Sequence, residues 1–274
     1  MITHNGTYLI HATHHGMPIY AATMGGKMVF RTWLLLATQQ AIVAAFGAEG
    51  TEVIAKTNDY LNQIATTDPQ RALLLANFIN EDPMLVCSLV ETSKVRTLTG
   101  TANAYIDTGY KPTSTTILEA FYALIVSEYS SCGSRLNYGT DMFVIHNGPS
   151  IQFMIGTQTV TTGINSSLNT FYKLRLDAQG KAFVNDNVWN TNKFNGNNFN
   201  IWLFANNNGG AVHNSNGAIY EYATIYEGTD QVAHFVPCHH DNQSGMLDII
   251  SGTFYPNANT EGSFTIALTD KTTS

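Results

Sequence analysis

Two histidine groups and one stretch of amides around a tryptophan are where side chains suited to chemistry lie close together in this sequence. His11, His14 and His15 form the first group, and Cys238-His239-His240-Asp241 sets a thiol, two imidazoles and a carboxylate side by side. All are transition-metal ligand types, but the spacing is poor. Neighbouring residues of an extended chain point to opposite faces, so His239 and His240 could share an ion only across a turn. A polar loop after Pro237 is the plainer expectation. A trimer axis could gather three copies of His11 or His14, and whether a metal is bound stays open.

The acids point away from hydrolysis. Cleaving a glycosidic bond takes two carboxylates across the scissile bond, one as acid and one as base or nucleophile. Glu119 stands alone on its predicted strand, Glu221 is followed two residues later by Ala223, and Asp186 sits in an Asn-rich turn. No Gly-x-Ser-x-Gly elbow, P-loop or dinucleotide fingerprint follows a strand. The chain is therefore expected to bind rather than to catalyse.

For glycan binding the needed parts are an aromatic plate and planar amides, because sugars present apolar faces and hydroxyl edges. Trp189, Asn190, Asn192, Asn195, Asn197 and Asn198 supply that mixture, and Asn206, Asn207 and Asn208 extend it. Trp189 reads equally well as a core residue at a strand end, and so does the stripe Tyr220, Tyr222 and Tyr226.

Composition narrows the partners. Only 12% of the 274 residues are charged while 44% are hydrophobic, and Asn, Thr, Ser and Gly supply the polarity, a mixture that favours strands and turns. A formal charge of -7 without a basic cluster gives nucleic acid no footing. Cys87, Cys132 and Cys238 are odd in number and far apart, against a disulfide framework and in keeping with folding in a reducing cytoplasm. The N-terminus lacks the pattern of a signal peptide, and the apolar run Leu34 to Phe46 is too short to span a bilayer.

The elements that must position these residues change period along the chain. Thr7 to Thr13, Met17 to Met24 and Lys27 to Trp33 read as a small meander with turns at His15-Gly16 and Gly25-Gly26. Leu34 to Phe46, Val53 to Ile64 and Arg71 to Ile79 recur at helical steps, with Ile54, Leu61 and Ile64 on one face and Asp68-Pro69 opening the third helix. The first helix is apolar on almost every side and calls for protein around it, from its own bundle or from copies of itself.

From Lys94 onward the alternation is two-residue. Tyr172, Leu174 and Leu176 oppose Phe171, Lys173, Arg175 and Asp177, and Tyr220, Tyr222, Thr224 and Tyr226 oppose Ile219, Glu221, Ala223 and Ile225. Ile117 to Val126 and Ile201 to Ala205 are apolar on both faces and suit central strands. Asn190 to Asn200 and Asn206 to Asn216 read as exposed loops at one end of an antiparallel sandwich.

Several motifs then fall in a recognisable order: Ala104-Tyr-Ile-Asp-Thr-Gly-Tyr110, Phe171-Tyr-Lys-Leu-Arg175, Ile201-Trp-Leu-Phe-Ala205, Gly217 to Gly228, Val236-Pro-Cys238 and Gly245 to Tyr255. Together they resemble the laminin-G-like (concanavalin-A-like) jelly-roll domains of phage structural and bacterial surface proteins, over about residues 95 to 268. His4-Asn-Gly6, Gly25-Gly-Lys27 and Phe30 or Trp33 resemble the short β-modules that begin phage fibre proteins.

The resemblance implies a mainly β chain, an antiparallel jelly-roll β-sandwich preceded by a small β-meander and a short helical segment. Residues 1–33 would attach to the virion, 34–93 would space or oligomerise, and 94–274 would form the sandwich. It implies a head-fibre, decoration or tail-fibre protein, made in the bacterial cytoplasm. Its partners would be other virion proteins, one or two further copies of itself, and a host-surface glycan, with a purely structural cement as the alternative. The related glucanases carry a Glu-x-Asp-x-x-Glu pattern that is missing here. Laminin-G-like domains often hold calcium at a rim, for which Asp141, Asn185, Asp186 and Asn206 to Asn208 are the candidates, although such Asn residues also serve simply as turn caps.

Overall fold

A computed structural model describes residues 2–4, 7–14, 17–24, 27–29, 33–137, 139–213 and 215–271, the strands before residue 30 by their backbone alone. The chain divides into two compact units, residues 1–96 with 268–274, and residues 97–267. Among the described residues no helix is long and apolar enough to cross a membrane.

The first unit opens with a four-stranded antiparallel meander, β1 (Ile2–His4), β2 (Thr7–His14), β3 (Met17–Met24) and β4 (Lys27–Val29). The turns expected at His15-Gly16 and Gly25-Gly26 lie outside the described residues. The last strand stops at Val29, short of Trp33. That tryptophan belongs with the helices, since its indole Nε1 donates to Asn62 Oδ1 at 2.9 Å and Asn80 Nδ2 donates to its carbonyl at 3.0 Å.

The helices are α1 (Leu36–Phe46), α2 (Gly50–Ala65), α3 (Pro69–Glu81) and the single turn α4 (Val86–Leu89). Asp68 caps α3 by accepting the Arg71 N–H at 3.0 Å, with Pro69 at the first position, where its missing N–H costs nothing. The buried stripe of α2 is Val53, Thr57 and Leu61, one residue round from the expected face, so Ile54 and Ile64 are only half-buried. Gly50 is needed where α2 starts, because a Cβ there would lie 2.6 Å from the Val43 Cα. Just after α3 the buried carboxylate of Asp82 meets the guanidinium of Arg96, which is also buried.

Eighteen strands follow. In chain order they are β5 (Lys94–Gly100), β6 (Ile106–Asp107), β7 (Thr116–Leu124), β8 (Ser130–Arg135), β9 (Met142–Asn147), β10 (Gln152–Gly156), β11 (Gln158–Thr161), β12 (Tyr172–Asp177), β13 (Lys181–Val184), β14 (Asn187–Asn190), β15 (Trp202–Leu203), β16 (Asn206–Asn208), β17 (Ala211–His213), β18 (Ala218–Glu227), β19 (Asp230–His240), β20 (Gln243–Asp248), β21 (Thr253–Pro256) and β22 (Phe264–Asp270). They form two sheets. Sheet I runs β14-β13-β12-β7-β18-β19-β20-β21, with β5 joined to β18 and β22 to β5. Sheet II runs β11-β10-β9-β8-β15-β6, with β16 on β8 and β17 on β16. The pairing registers described are antiparallel except that of β16 with β8, and the chain is mainly β.

One core lies between the sheets. Leu118, Ala120, Tyr122, Leu174, Leu176, Tyr220 and Phe235 come from sheet I, and Ile106, Cys132, Phe143, Ile145, Phe153 and Leu203 from sheet II. Strand β7 is central, flanked by β12 and β18, as its two apolar faces predict. Strand β12 buries Leu174 and Leu176, as alternation predicts.

Strand β18 departs from that rule. Its register against β7 shifts between Tyr220 and Tyr222, an extra residue that reverses the phase of everything after it. Tyr220, Ala223 and Ile225 therefore share the core, while Tyr222 and Tyr226 do not join Tyr220 in a stripe. The segment Ile201 to Ala205 also differs from expectation. Phe204 takes φ +67°, which ends the strand after two residues.

Candidate ligand-binding face

The expected glycan residues fall into two separate places. Trp189 lies on the edge strand β14 opposite Ala182, half-buried and packed against the sandwich core. Asn190 ends that strand, and Asn192, Asn195 and Asn198 are exposed on the connection to β15. Asn197 is a tie within the fold: its Nδ2 donates to the Asp141 carbonyl at 2.9 Å and its Oδ1 accepts the Phe199 N–H at 3.0 Å.

Asn206, Asn207 and Asn208 are not a loop. They form β16 beside Gly133, Ser134 and Arg135, with Asn206 and Asn207 buried. Three amides in a row look like a turn locally, and only a distant strand supplies the backbone partners that extend them.

The calcium candidates do not converge. Asp141 is tied to Asn197, whose N–H donates to the Pro112 carbonyl just ahead of β7, whereas the Asn185 N–H donates to the Lys173 carbonyl opposite Phe121. From Thr116 to Phe121 is about 16 Å along an extended strand. Asp141 and the Asn185-Asp186 turn thus sit towards opposite ends of β7.

Cys238, His239 and His240 lie in β19 rather than in a loop, and the turn follows at Asp241 and Asn242, both at positive φ. Strand geometry sends His239 and His240 to opposite faces. His11 and His14 lie on β2, and their side chains, like all of His15, fall outside the described residues. Among the described residues Cys87, Cys132 and Cys238 form no disulfide.

The two sheets differ in what their outer faces leave unpaired. On sheet I, Arg175, Glu119, Thr224 and His234 stand opposite one another across four strands. Glu119 Oε1 accepts from Tyr222 OH at 3.3 Å and pairs with Lys173 Nζ at 3.2 Å, and Thr224 Oγ1 meets His234 Nδ1 at 2.8 Å. The Arg175 guanidinium lies 5.3 Å from the Phe183 ring. These groups largely answer one another. Glu221 sits at the bulge of β18, next to Tyr222, and Asp186 on the exposed turn after β13.

Sheet II carries a different row. Trp202, Gly133, Val144, Met154 and Thr159 are successive cross-strand partners on the face away from the core, and Ser131, His146, Gln152 and Thr161 form the next row. Asn206 is also opposite Gly133. Ser131, Trp202 and Asn206 are buried, yet the serine hydroxyl, the indole N–H and both amide atoms of Asn206 have no hydrogen-bond partner among the described residues. Such groups cost free energy until something pairs with them.

A largely half-buried rim lies beside this floor. Tyr105 stacks on Trp202 with ring centroids 4.1 Å apart, and Tyr129 lies 4.4 Å from the His146 ring. Asn208 Oδ1 accepts from Arg135 Nε at 3.1 Å, and His213 stands opposite Asn206. Aromatic faces, planar amides and unmet donors and acceptors therefore occur together, assembled from β8, β9, β15, β16 and β17 and from the residues just ahead of β6 and β8. The motif Ile201-Trp-Leu-Phe-Ala205 carried Trp202 in plain sight in the sequence, but its burial and its neighbours depend on pairing with β8.

Burial, with Arg135 and His213 nearby, holds the His146 imidazole down at about 3, well below the ordinary 6.5. Burial lowers His234 as well. A depressed histidine leaves stability intact above the unfolded value and removes it as pH falls through 6.5 towards the folded value, because the unfolded chain takes up the proton first. The melting temperature is expected to drop between about pH 7 and pH 5, and less steeply in His146→Gln. Equal slopes in the two proteins would show that His146 does not titrate this way.

No protein-family model matches the chain, and no curated protein is similar to it in sequence.

Proposed function

We propose that the protein is a non-catalytic adhesion component of a bacteriophage virion, of head-fibre, decoration or tail-fibre type, whose sandwich holds a host-surface glycan on the outer face of sheet II. The N-terminal strands attach it to the particle and the helices space or join the copies. The observation that carries the binding reading is the buried, unpaired set of Ser131, Trp202 and Asn206 beneath the aromatic rim of Tyr105 and Tyr129. A sugar hydroxyl both donates and accepts, which suits a primary amide beside a hydroxyl and an indole N–H, while its C–H face suits the tyrosines. Display in many copies turns weak single contacts into retention on a cell.

The test is binding of purified protein to host capsular and envelope polysaccharides, compared with the double variant Trp202→Phe/Asn206→Ala, which keeps an aromatic ring under Tyr105 and removes the indole N–H and the amide. Loss of about two hydrogen bonds weakens binding roughly tenfold or more in a variant that still unfolds cooperatively above the assay temperature. Equal affinity of the two proteins would move the site elsewhere. A wild-type protein that ignores every host polysaccharide yet rebinds virions lacking it would instead be a structural cement.

A further inference from the structure

Five asparagines in this chain are followed directly by glycine: Asn5, Asn147, Asn195, Asn208 and Asn216. Such a pair can react with itself, because a glycine, having no Cβ, lets its backbone nitrogen approach the asparagine carboxamide carbon, and asparagine is a thermally labile residue. Asn5 lies outside the described residues, and the fold guards three of the other four. Asn147 is fully buried in β9. Asn208 Oδ1 accepts from Arg135 Nε at 3.1 Å, while the Gly209 N–H donates to the Arg135 carbonyl at 2.9 Å. Asn216 Nδ2 donates to the Tyr129 carbonyl at 2.9 Å. Asn195 is different: it is exposed, and among the described residues neither its carboxamide nor the Gly196 N–H has a hydrogen-bond partner. Gly196 bridges to Thr113, but the hydrogen bond there runs from the Asn197 N–H to the Pro112 carbonyl, at 3.2 Å.

We infer that Asn195-Gly196 is a self-modification site, at which the chain converts Asn195 into aspartate and isoaspartate. The Gly196 nitrogen gives its proton to water and bonds to the Asn195 Cγ. The Cγ–Nδ2 bond breaks, ammonia leaves with a proton taken back from solvent, and a succinimide ring remains. Water then opens the ring at either carbonyl, and no electrons change hands. Opening at Cγ leaves an ordinary aspartate, whereas opening at the main-chain carbonyl reroutes the backbone through Cβ and Cγ and lengthens it by an atom. Either product adds a negative charge to a chain already at -7. The longer product also meets fixed neighbours. Phe194 is buried in the core with its ring 5.2 Å from that of Phe143, and Asn197 Nδ2 donates to the Asp141 carbonyl at 2.9 Å. An extra backbone atom between these two anchors displaces one of them, so isoaspartate loosens the connection from β14 to β15. This inference goes beyond the adhesion reading and does not require it.

Ageing the full chain in mildly alkaline buffer at physiological temperature tests it, with isoaspartate located by fragmentation mass spectrometry and by an isoaspartate-specific methyltransferase label. The expected result is conversion at Asn195 at least about tenfold faster than at Asn147, Asn208 or Asn216, each of which must first lose a hydrogen bond or leave its strand. The aged chain is expected to melt lower than the fresh one. Asn195→Ser changes only an exposed side chain without hydrogen bonds, and is expected to lose the label at this position and to keep its melting temperature on ageing. Faster conversion at another described pair overturns the inference. So does a native chain that stays unlabelled at Asn195 while its urea-unfolded form is labelled there, since the fold would then protect this pair too. A melting temperature that holds steady as label accumulates overturns the displacement between Phe194 and Asn197.

Discussion

Gly133→Ala is expected to cost about 3–5 kcal/mol of folding stability, the sum of a backbone held where an L side chain is strained and a collision that cannot relax. Gly133 sits in the middle of sheet II between Trp202 and Val144 at φ +132°. A Cβ there would meet the Phe143 carbonyl oxygen at 2.1 Å and the Val144 Cα at 2.8 Å, both backbone atoms of the neighbouring strand. The strand would have to move, and the floor of the proposed site with it. Urea unfolding of the two proteins measures the effect, and a loss below about 1 kcal/mol would show that the strands part easily here.

Asp82→Ala is expected to be nearly as damaging, about 3–5 kcal/mol, because it strands a buried cation. The guanidinium of Arg96 is 3% exposed, and among the described residues its Nε and Nη1 have no hydrogen-bond partner, so the Asp82 carboxylate carries most of its compensation. The pair as a whole is worth far less than either half suggests, since both ions lost their hydration on folding. Asp82→Leu/Arg96→Met should therefore unfold much closer to the wild-type urea midpoint than Asp82→Ala. A double variant as unstable as the single one would refute that account.

Much of the fold was legible in the sequence where local rules and long-range packing agree. The two-residue period of Leu174 and Leu176, the double-faced apolar run from Ile117 and the Asp68-Pro69 start of α3 all state locally what the tertiary structure then uses. The misses share a different cause. Asn206 to Asn208 have turn chemistry, and Pro237 to His240 look like a polar loop, but each is drawn into a strand by a partner far away in the chain, β8 in one case and β20 in the other.

The bulge in β18 follows the same pattern, because one uncounted residue inverts every inside–outside assignment after Tyr220. The candidate site was harder still to read. Trp189 and the amides after it form a compositional cluster, whereas Ser131, Trp202 and Asn206 come from three strands that only the sheet brings together.

The pairing of β5 with β22 has a consequence for how such a chain can be rearranged. The strand that leads into the sandwich and the strand that leads out of it are hydrogen-bonded neighbours. A module whose two leads emerge side by side behaves as a plug-in cassette: it can be grafted into a loop of another scaffold, or exchanged for a different domain, without rethreading the sheets.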